Sequence, residues 1–146
     1  MTAEELDQIV ENVRTRRQQV PREINVCVAA GCLALHSDAL KDALEKSAAN
    51  AGISCRVRGA GCMGLCSAGP LVSVEPEALL YQHVKPEQAD ALMRSLKGEP
   101  AQNIQCSREQ PFFARQVNVV LENSGKIDPE KVDEYIAADG YRALLH

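Results

Sequence analysis

Apolar positions near the N-terminus recur at helical spacing: Leu6, Ile9, Val10 and Val13 share one face of a helix predicted over 3–19, and Pro21 stops it. Ile24 to Val28 reads as a short strand running into the small-residue turn Ala29-Ala30-Gly31. Ser37 is placed to cap a helix over 38–50 with Leu40, Ala43, Leu44 and Ser47 on its inner face. Asn50 and Gly52 tolerate the left-handed conformation that ends it. From Ile53 to Arg58 the pattern turns to alternation, with Ile53, Cys55 and Val57 on one side and Ser54, Arg56 and Arg58 on the other, which predicts a second strand. After a loop at 59–70 come a strand at 71–74, a turn at Glu75-Pro76-Glu77 and a strand at 78–84, close enough to pair as a hairpin. Pro86 opens a last helix over 87–97, with Ala89, Leu92, Met93 and Leu96 inward.

The order helix, β-α-β, β-β-α predicts an α/β layer arrangement with a small mixed sheet, in which one helix crosses between parallel strands and a hairpin closes the sheet. Such an order fits a thioredoxin-like fold. The expected organisation is an N-terminal helix (1–22), the α/β domain (23–97), a polar linker (98–111) and a C-terminal helical extension (112–146). In the extension, Asp128 before Pro129 marks a helix start and Gly140 its stop. Phe112, Phe113, Tyr135 and Tyr141, four of the five aromatic residues, lie there. So short a segment cannot bury them alone. They dock back on the domain, pair with a second copy of the chain as a homodimer, or meet a neighbouring domain. The last is favoured, with the segment itself disordered, loosely docked or exchanged between copies.

Composition narrows the class. With 45% apolar and 25% charged residues the chain is globular, and no apolar stretch is long enough to span a bilayer. The net charge of −4, with no basic aromatic-interleaved face, argues against nucleic acid as a partner. Arg14, Arg16, Arg17 and Arg22 are balanced by Glu4, Glu5, Asp7 and Glu11, which reads as a solvated helix face. The charged N-terminus lacks an export core, so the expected compartment is the cytoplasm. There, reducing conditions turn the six cysteines from candidate disulfides into candidate metal or redox groups.

Two cysteine pairs stand out, Cys27-x4-Cys32 and Cys62-x3-Cys66, each following a predicted strand and lying among glycines. Four thiolates are soft anionic ligands that complete the sulfur shell of a two-iron, 2Fe-2S cluster. Neighbouring glycines let backbone N–H groups approach the sulfurs, and Arg56 and Arg58, leading into the second loop, are expected to favour the reduced state. The competing reading is a structural zinc site of four cysteines, which more often uses tighter pairs. Cys55, inward on a strand, and Cys106, alone in the linker, read as structural. His36 reads as a helix-start residue and His83 as a half-buried polar body in a strand. Gly59-Ala-Gly61-Cys-Met-Gly64 satisfies the dinucleotide pattern GxGxxG, but Gly69-Pro70 follows too soon for the helix that pattern must open.

With its two cysteine pairs some thirty residues apart, the chain resembles the thioredoxin-like 2Fe-2S ferredoxins, including the 2Fe-2S subunit of respiratory complex I. CVAAGCLAL, GAGCMGLCSAGPLVSVEP, LYQHVKPEQAD and above all PFFARQVNVVLENSGKIDPEKVDEYIAADGY resemble the N-terminal ferredoxin domain of the diaphorase subunit (HoxF type) of bidirectional NAD-reducing NiFe hydrogenases and related flavoprotein subunits. The resemblance implies Cys27, Cys32, Cys62 and Cys66 as ligands of one 2Fe-2S cluster and one-electron transfer as the function, with no catalytic residue and no substrate site. It also implies a larger polypeptide in which FMN and NAD bind beyond the present sequence, and partners that include the flavin/NAD domain and other hydrogenase or diaphorase subunits. A free-standing ferredoxin and a structural zinc-binding interaction module are the alternatives.

Overall fold

Thr2 starts the first helix, α1 (Ala3–Gln18), by a reciprocal cap: its hydroxyl accepts the Glu5 amide at 3.3 Å and the Glu5 carboxylate accepts the Thr2 amide at 2.7 Å. The structure, a computed structural model, describes residues 2–98 and 104–145. Then follow β1 (Glu23–Cys27), the short α2 (Ala30–Leu33), α3 (Ser37–Ala51) and β2 (Arg56–Ala60). A 3-10 turn (Cys66–Ala68) leads to the hairpin β3 (Val72–Glu75) and β4 (Leu79–Tyr81), and a second (Pro86–Gln88) runs into α4 (Ala89–Ser95). Beyond it lie β5 (Gln105–Cys106), α5 (Pro111–Ala114) and α6 (Val132–Ala137).

The sheet order is β2-β1-β3-β4-β5; β1 and β2 are parallel and the remaining neighbours antiparallel. This is the predicted mixed α/β arrangement, with α3 as the crossover between the parallel strands. Ile24, Val26, Val72, Val74 and Tyr81 meet Leu40, Leu44, Leu92 and Met93 on one face, all at most 2% exposed. Burial of such side chains supplies the main stabilisation, about 1.5–3 kcal/mol each. The inward residues read from the periodicity of α3 and α4 are those that line this core.

Several elements depart from expectation. Ser37 does not cap α3; it lies fully buried inside the helix, and His36, in a left-handed conformation (φ +62), holds the cap position. Gly52 (φ +62) ends α3 as expected. β2 begins at Arg56 rather than Ile53 and runs on to Ala60, because its register is fixed by β1. β4 is shorter than the predicted 78–84, and His83 is an exposed bend residue with φ +51, not a half-buried strand residue. Cys106 lies in a strand, since β5 pairs with the free edge of β4. Part of the predicted linker, 99–103, falls outside the described residues. α6 starts at Val132 and not at Pro129, because the Asp128 carboxylate accepts the Glu130 amide at 3.0 Å and closes a turn there.

The other sheet face is polar. Register places Glu23 beside Arg56 and Glu75, and Asn25 beside Arg58 and Ser73. This face is not left to solvent. Ile136 of α6 is buried with Leu6 and Val10 of α1, and the neighbouring Glu134, 2% exposed, reaches Arg58 and Arg56. The part of the extension from Ser124 to Ile136 is therefore seated on the domain, whereas residues 114–122 stay exposed. Its aromatics gain less from this than their number suggested. Phe113 packs near Leu80 and Cys106, whereas Phe112, Tyr135 and Tyr141 stay more than 40% exposed in edge-to-face pairs, Phe112–Phe113 and Tyr135–Tyr141.

Candidate metal centre

Cys27 is the last residue of β1, and Cys32 sits one turn into α2, where its amide bonds the Ala29 carbonyl at 2.9 Å. Cys62 and Cys66 belong to the loop between β2 and β3, Cys66 opening the 3-10 turn. Parallel pairing of β1 with β2 brings the ends of both strands, and so both loops, to one edge of the sheet. The Cys27 amide ties them together by donating to the Leu71 carbonyl at 3.0 Å.

The loops interlock through glycine. A Cβ on Gly31 of the first loop would lie 3.8 Å from Cys66 Sγ, and one on Gly69 of the second would lie 3.0 Å from Cys32 Sγ and 3.3 Å from the Cys66 carbonyl oxygen. Gly69 is thus required by the close approach of Cys32. The sulfurs divide into an inner pair, Cys27 and Cys32, both at most 2% exposed, and an outer pair, Cys62 and Cys66, whose sulfurs are 3.9 Å apart. A single zinc ion would gather four sulfurs at about 2.3 Å around one point. Structural zinc sites more often use tighter pairs than these, whereas four thiolates are the donor set of a two-iron cluster.

Burial first, then the hydrogen bond with Cys27, push the Cys32 thiol up to about 12, against the opposing effect of a backbone hydrogen bond from Leu71. The hydrogen bond with Cys62 raises the Cys66 thiol. Metal binding displaces such protons and stabilises the thiolates. Gly64 N–H already points at Cys62 Sγ at 3.4 Å, the donor direction that favours negative charge on sulfur.

Of the sequence-predicted cysteines, Cys27 and Cys32 share one buried cluster, and Cys62 and Cys66 lie together in the loop between β2 and β3. Cys55 lies partly buried against the main core, and Cys106 is buried beside Leu80 with its sulfur 3.7 Å from Gln110 Nε2. His36 and His83 are both exposed. The segment 59–64 opens no α-helix. The expected role of the arginines needs correction. Arg58, 5% exposed, donates through Nε to Asn25 Oδ1 at 2.6 Å, through Nη2 to the Lys126 carbonyl at 2.7 Å and through Nη1 to Glu134. Arg56 meets Glu134 at 3.2 Å. Their charges are matched by Glu134 and Glu23 on the polar face, so no free cation is directed at the sulfurs from here.

Residues missed in the sequence complete the surroundings. Ser124 Oγ donates to the Cys62 carbonyl at 2.6 Å, and the Gly61 amide donates to the Ile127 carbonyl at 3.2 Å. Gly125, with φ +76, passes so close that a Cβ would lie 3.1 Å from Met63 Cγ. The Ser-Gly pair at 124–125 is a local turn signal; nothing local points to Glu134. No helix among the described residues is long and apolar enough to cross a membrane.

Residues 2–97 match the thioredoxin-like 2Fe-2S ferredoxin family. A ferredoxin described as 2Fe-2S, from Aquifex aeolicus, is 42% identical over 53 residues, which is 35% of this chain and 48% of that protein. The matched stretch thus spans about half the length of that relative. The crystal structure of the wild-type thioredoxin-like 2Fe-2S ferredoxin from Aquifex aeolicus superposes with a TM-score of 0.53 at 27% identity, covering 59% of this chain and 96% of that one. A cysteine-to-serine variant of the same ferredoxin gives 0.53 at 28% identity, covering 59% and 98%.

Proposed function

The chain belongs to the thioredoxin-like 2Fe-2S ferredoxin family, and from that premise we propose that Cys27, Cys32, Cys62 and Cys66 hold its one 2Fe-2S cluster and that the protein passes single electrons. The observation that carries the reading is the meeting of an inner and an outer cysteine pair from two loops interlocked through Gly31 and Gly69. When bound, such a cluster takes up and returns one electron without any bond being made in a substrate. The chain's own groups do the rest. Buried Cys27 and Cys32 keep one side of the site dry, the Gly64 N–H stabilises charge on Cys62 Sγ, and exposed Cys66 leaves the other side near the surface. Iron and acid-labile sulfide at about two each per chain, with an EPR signal appearing on reduction, is the expected result. A colourless protein holding one zinc would overturn it.

The finer reading is a relay module of an NAD(H)-linked hydrogenase or diaphorase complex, its partners the flavin/NAD domain and companion subunits, in the cytoplasm. Two features support it: the resemblance of residues 112–141 to the lead-in of such subunits, and the exposed apolar run Val117, Val119, Val120 and Leu121, each more than 60% exposed. Exposed runs of this kind mark contact with another protein surface. A free-standing ferredoxin is the second reading, favoured by the nearly complete coverage of the Aquifex ferredoxin by only part of this chain. Reduction by NADH in the presence of a flavoprotein diaphorase, compared with reduction by dithionite, separates the two.

A further inference from the structure

The second cysteine loop is held from outside its own domain. Ser124 Oγ donates to the Cys62 carbonyl, the Ile127 carbonyl accepts from Gly61, and Gly125 lies against Met63. This stretch is anchored in turn. The Lys126 carbonyl accepts from Arg58 Nη2, and buried Glu134 accepts from Arg58, Arg56 and the Asp128 amide, the last at 2.9 Å. Fixing the Cys62 carbonyl toward Ser124 fixes the peptide plane that follows Cys62. That plane ends in the Met63 amide; with Gly125 also packed against Met63, the residue that precedes the Gly64 amide is held from both sides, and the Gly64 N–H points at Cys62 Sγ.

Resting on the cluster reading above, we propose that residues 124–134 form a clamp that sets the reduction potential: Ser124 is a positioning residue for Cys62 and the Gly64 amide, and the Arg58–Glu134 pair holds the clamp in place. N–H donors on the sulfurs stabilise the more negative reduced state. Loosening the clamp therefore lowers the potential.

The test uses the full chain with its cluster loaded. In Ser124→Ala, iron and sulfide per chain should stay at the wild-type value. At a poise where the wild type is half reduced, the ratio of reduced to oxidised protein should fall by about three- to tenfold, tenfold being 59 mV for one electron. Ser124→Thr, which keeps the hydroxyl, should restore it. Glu134→Gln discriminates by sign: loss of a nearby negative charge acting directly would favour the reduced state, whereas a loosened clamp disfavours it. Arg142→Gln, which breaks the exposed Arg142–Asp7 contact elsewhere on the extension, should leave the ratio unchanged. The proposal is overturned by a wild-type ratio in fully loaded Ser124→Ala, by an upward shift in Glu134→Gln, or by an equal shift in Arg142→Gln. A wild-type protein without iron and sulfide would instead overturn the cluster reading, and this one with it.

Discussion

Replacing Glu134 by alanine removes the acceptor shared by Arg58, Arg56, Arg17 and the Asp128 amide. Arg58 is the group that suffers, because at 5% exposure its guanidinium cannot recover hydration in place. Breaking one partner of a buried ion pair costs about 3–5 kcal/mol. Glu23 remains 3.3 Å from Arg58 Nη2, and Asn25 keeps its bond to Nε, so the lower end applies, about 3 kcal/mol. The loss falls on the docking of α6, which native-state hydrogen exchange reads residue by residue without assuming two-state unfolding. Amides bonded within this segment, such as Ala138 to Glu134 O and Gly140 to Tyr135 O, should exchange roughly 150-fold faster, since each 1.4 kcal/mol is about tenfold. The pair replacement Arg58→Met with Glu134→Leu should recover only part of that protection, because it strands no charge but leaves the Lys126 carbonyl and the Asp128 amide without their partners. An acceleration below about fivefold in Glu134→Ala, or a double variant worse than the single one, would refute the assignment of this pair as the anchor.

Cys32→Ser and Cys62→Ser should each strip the visible and EPR signature of the cluster, while Cys106→Ser keeps it; a wild-type spectrum in Cys62→Ser would show the ligand set to be wrong. Gly125→Ala should cost about 1–2 kcal/mol of extension docking, because φ +76 is costly with a Cβ and that Cβ would crowd Met63; unaltered exchange at Ile127 would refute it. The Arg16 guanidinium beside Asp133 holds its carboxyl below the usual 3.8. A depressed carboxylate stabilises the folded form above its unfolded value and loses that contribution as pH falls. Acid titration of α6 protection should therefore steepen below pH about 4 in the wild type and less in Asp133→Asn, by under about 1 kcal/mol because both groups are partly exposed. Identical acid limbs would count against the pair.

What could be read from the chain was local. Leu40 and Leu44, or Leu92 and Met93, declare their helix face by spacing alone, and the cysteine pairs by separation and neighbouring glycines. The alternation of Ile53, Cys55 and Val57 against Arg56 and Arg58 also placed their faces correctly, although β2 takes in only the last part of that run. It misled about what lies outside. Two arginines facing away from the core imply water, yet their cover comes from Glu134, 76 positions beyond Arg58, and no periodicity carries such a pairing. β5 escaped notice for a related reason. Gln105 and Cys106 have no strand pattern of their own and pair because β4 offers an unsatisfied edge. α2 arises in a run of small residues that reads equally well as a turn.

The two faces of the sheet impose different demands on what covers them. An apolar face accepts any apolar helix of suitable size, so Leu40, Leu44, Leu92 and Met93 are bound by volume more than by identity. A face carrying Glu23, Asn25, Arg56, Arg58 and Ser73 accepts only a cover whose charges and carbonyls fall in matching places, since each unmatched buried group would cost about 1–3 kcal/mol. The extension meets that demand with Glu134 and Lys126 O, and the same short stretch continues to Ile127 O and Ser124 on the second cysteine loop. Lifting it would break the bonds to Gly61 and Cys62 along with those to Arg58. The loop bearing the outer cysteines and the extension are therefore one mechanical unit, and a force or a partner acting on residues 124–134 acts on Cys62.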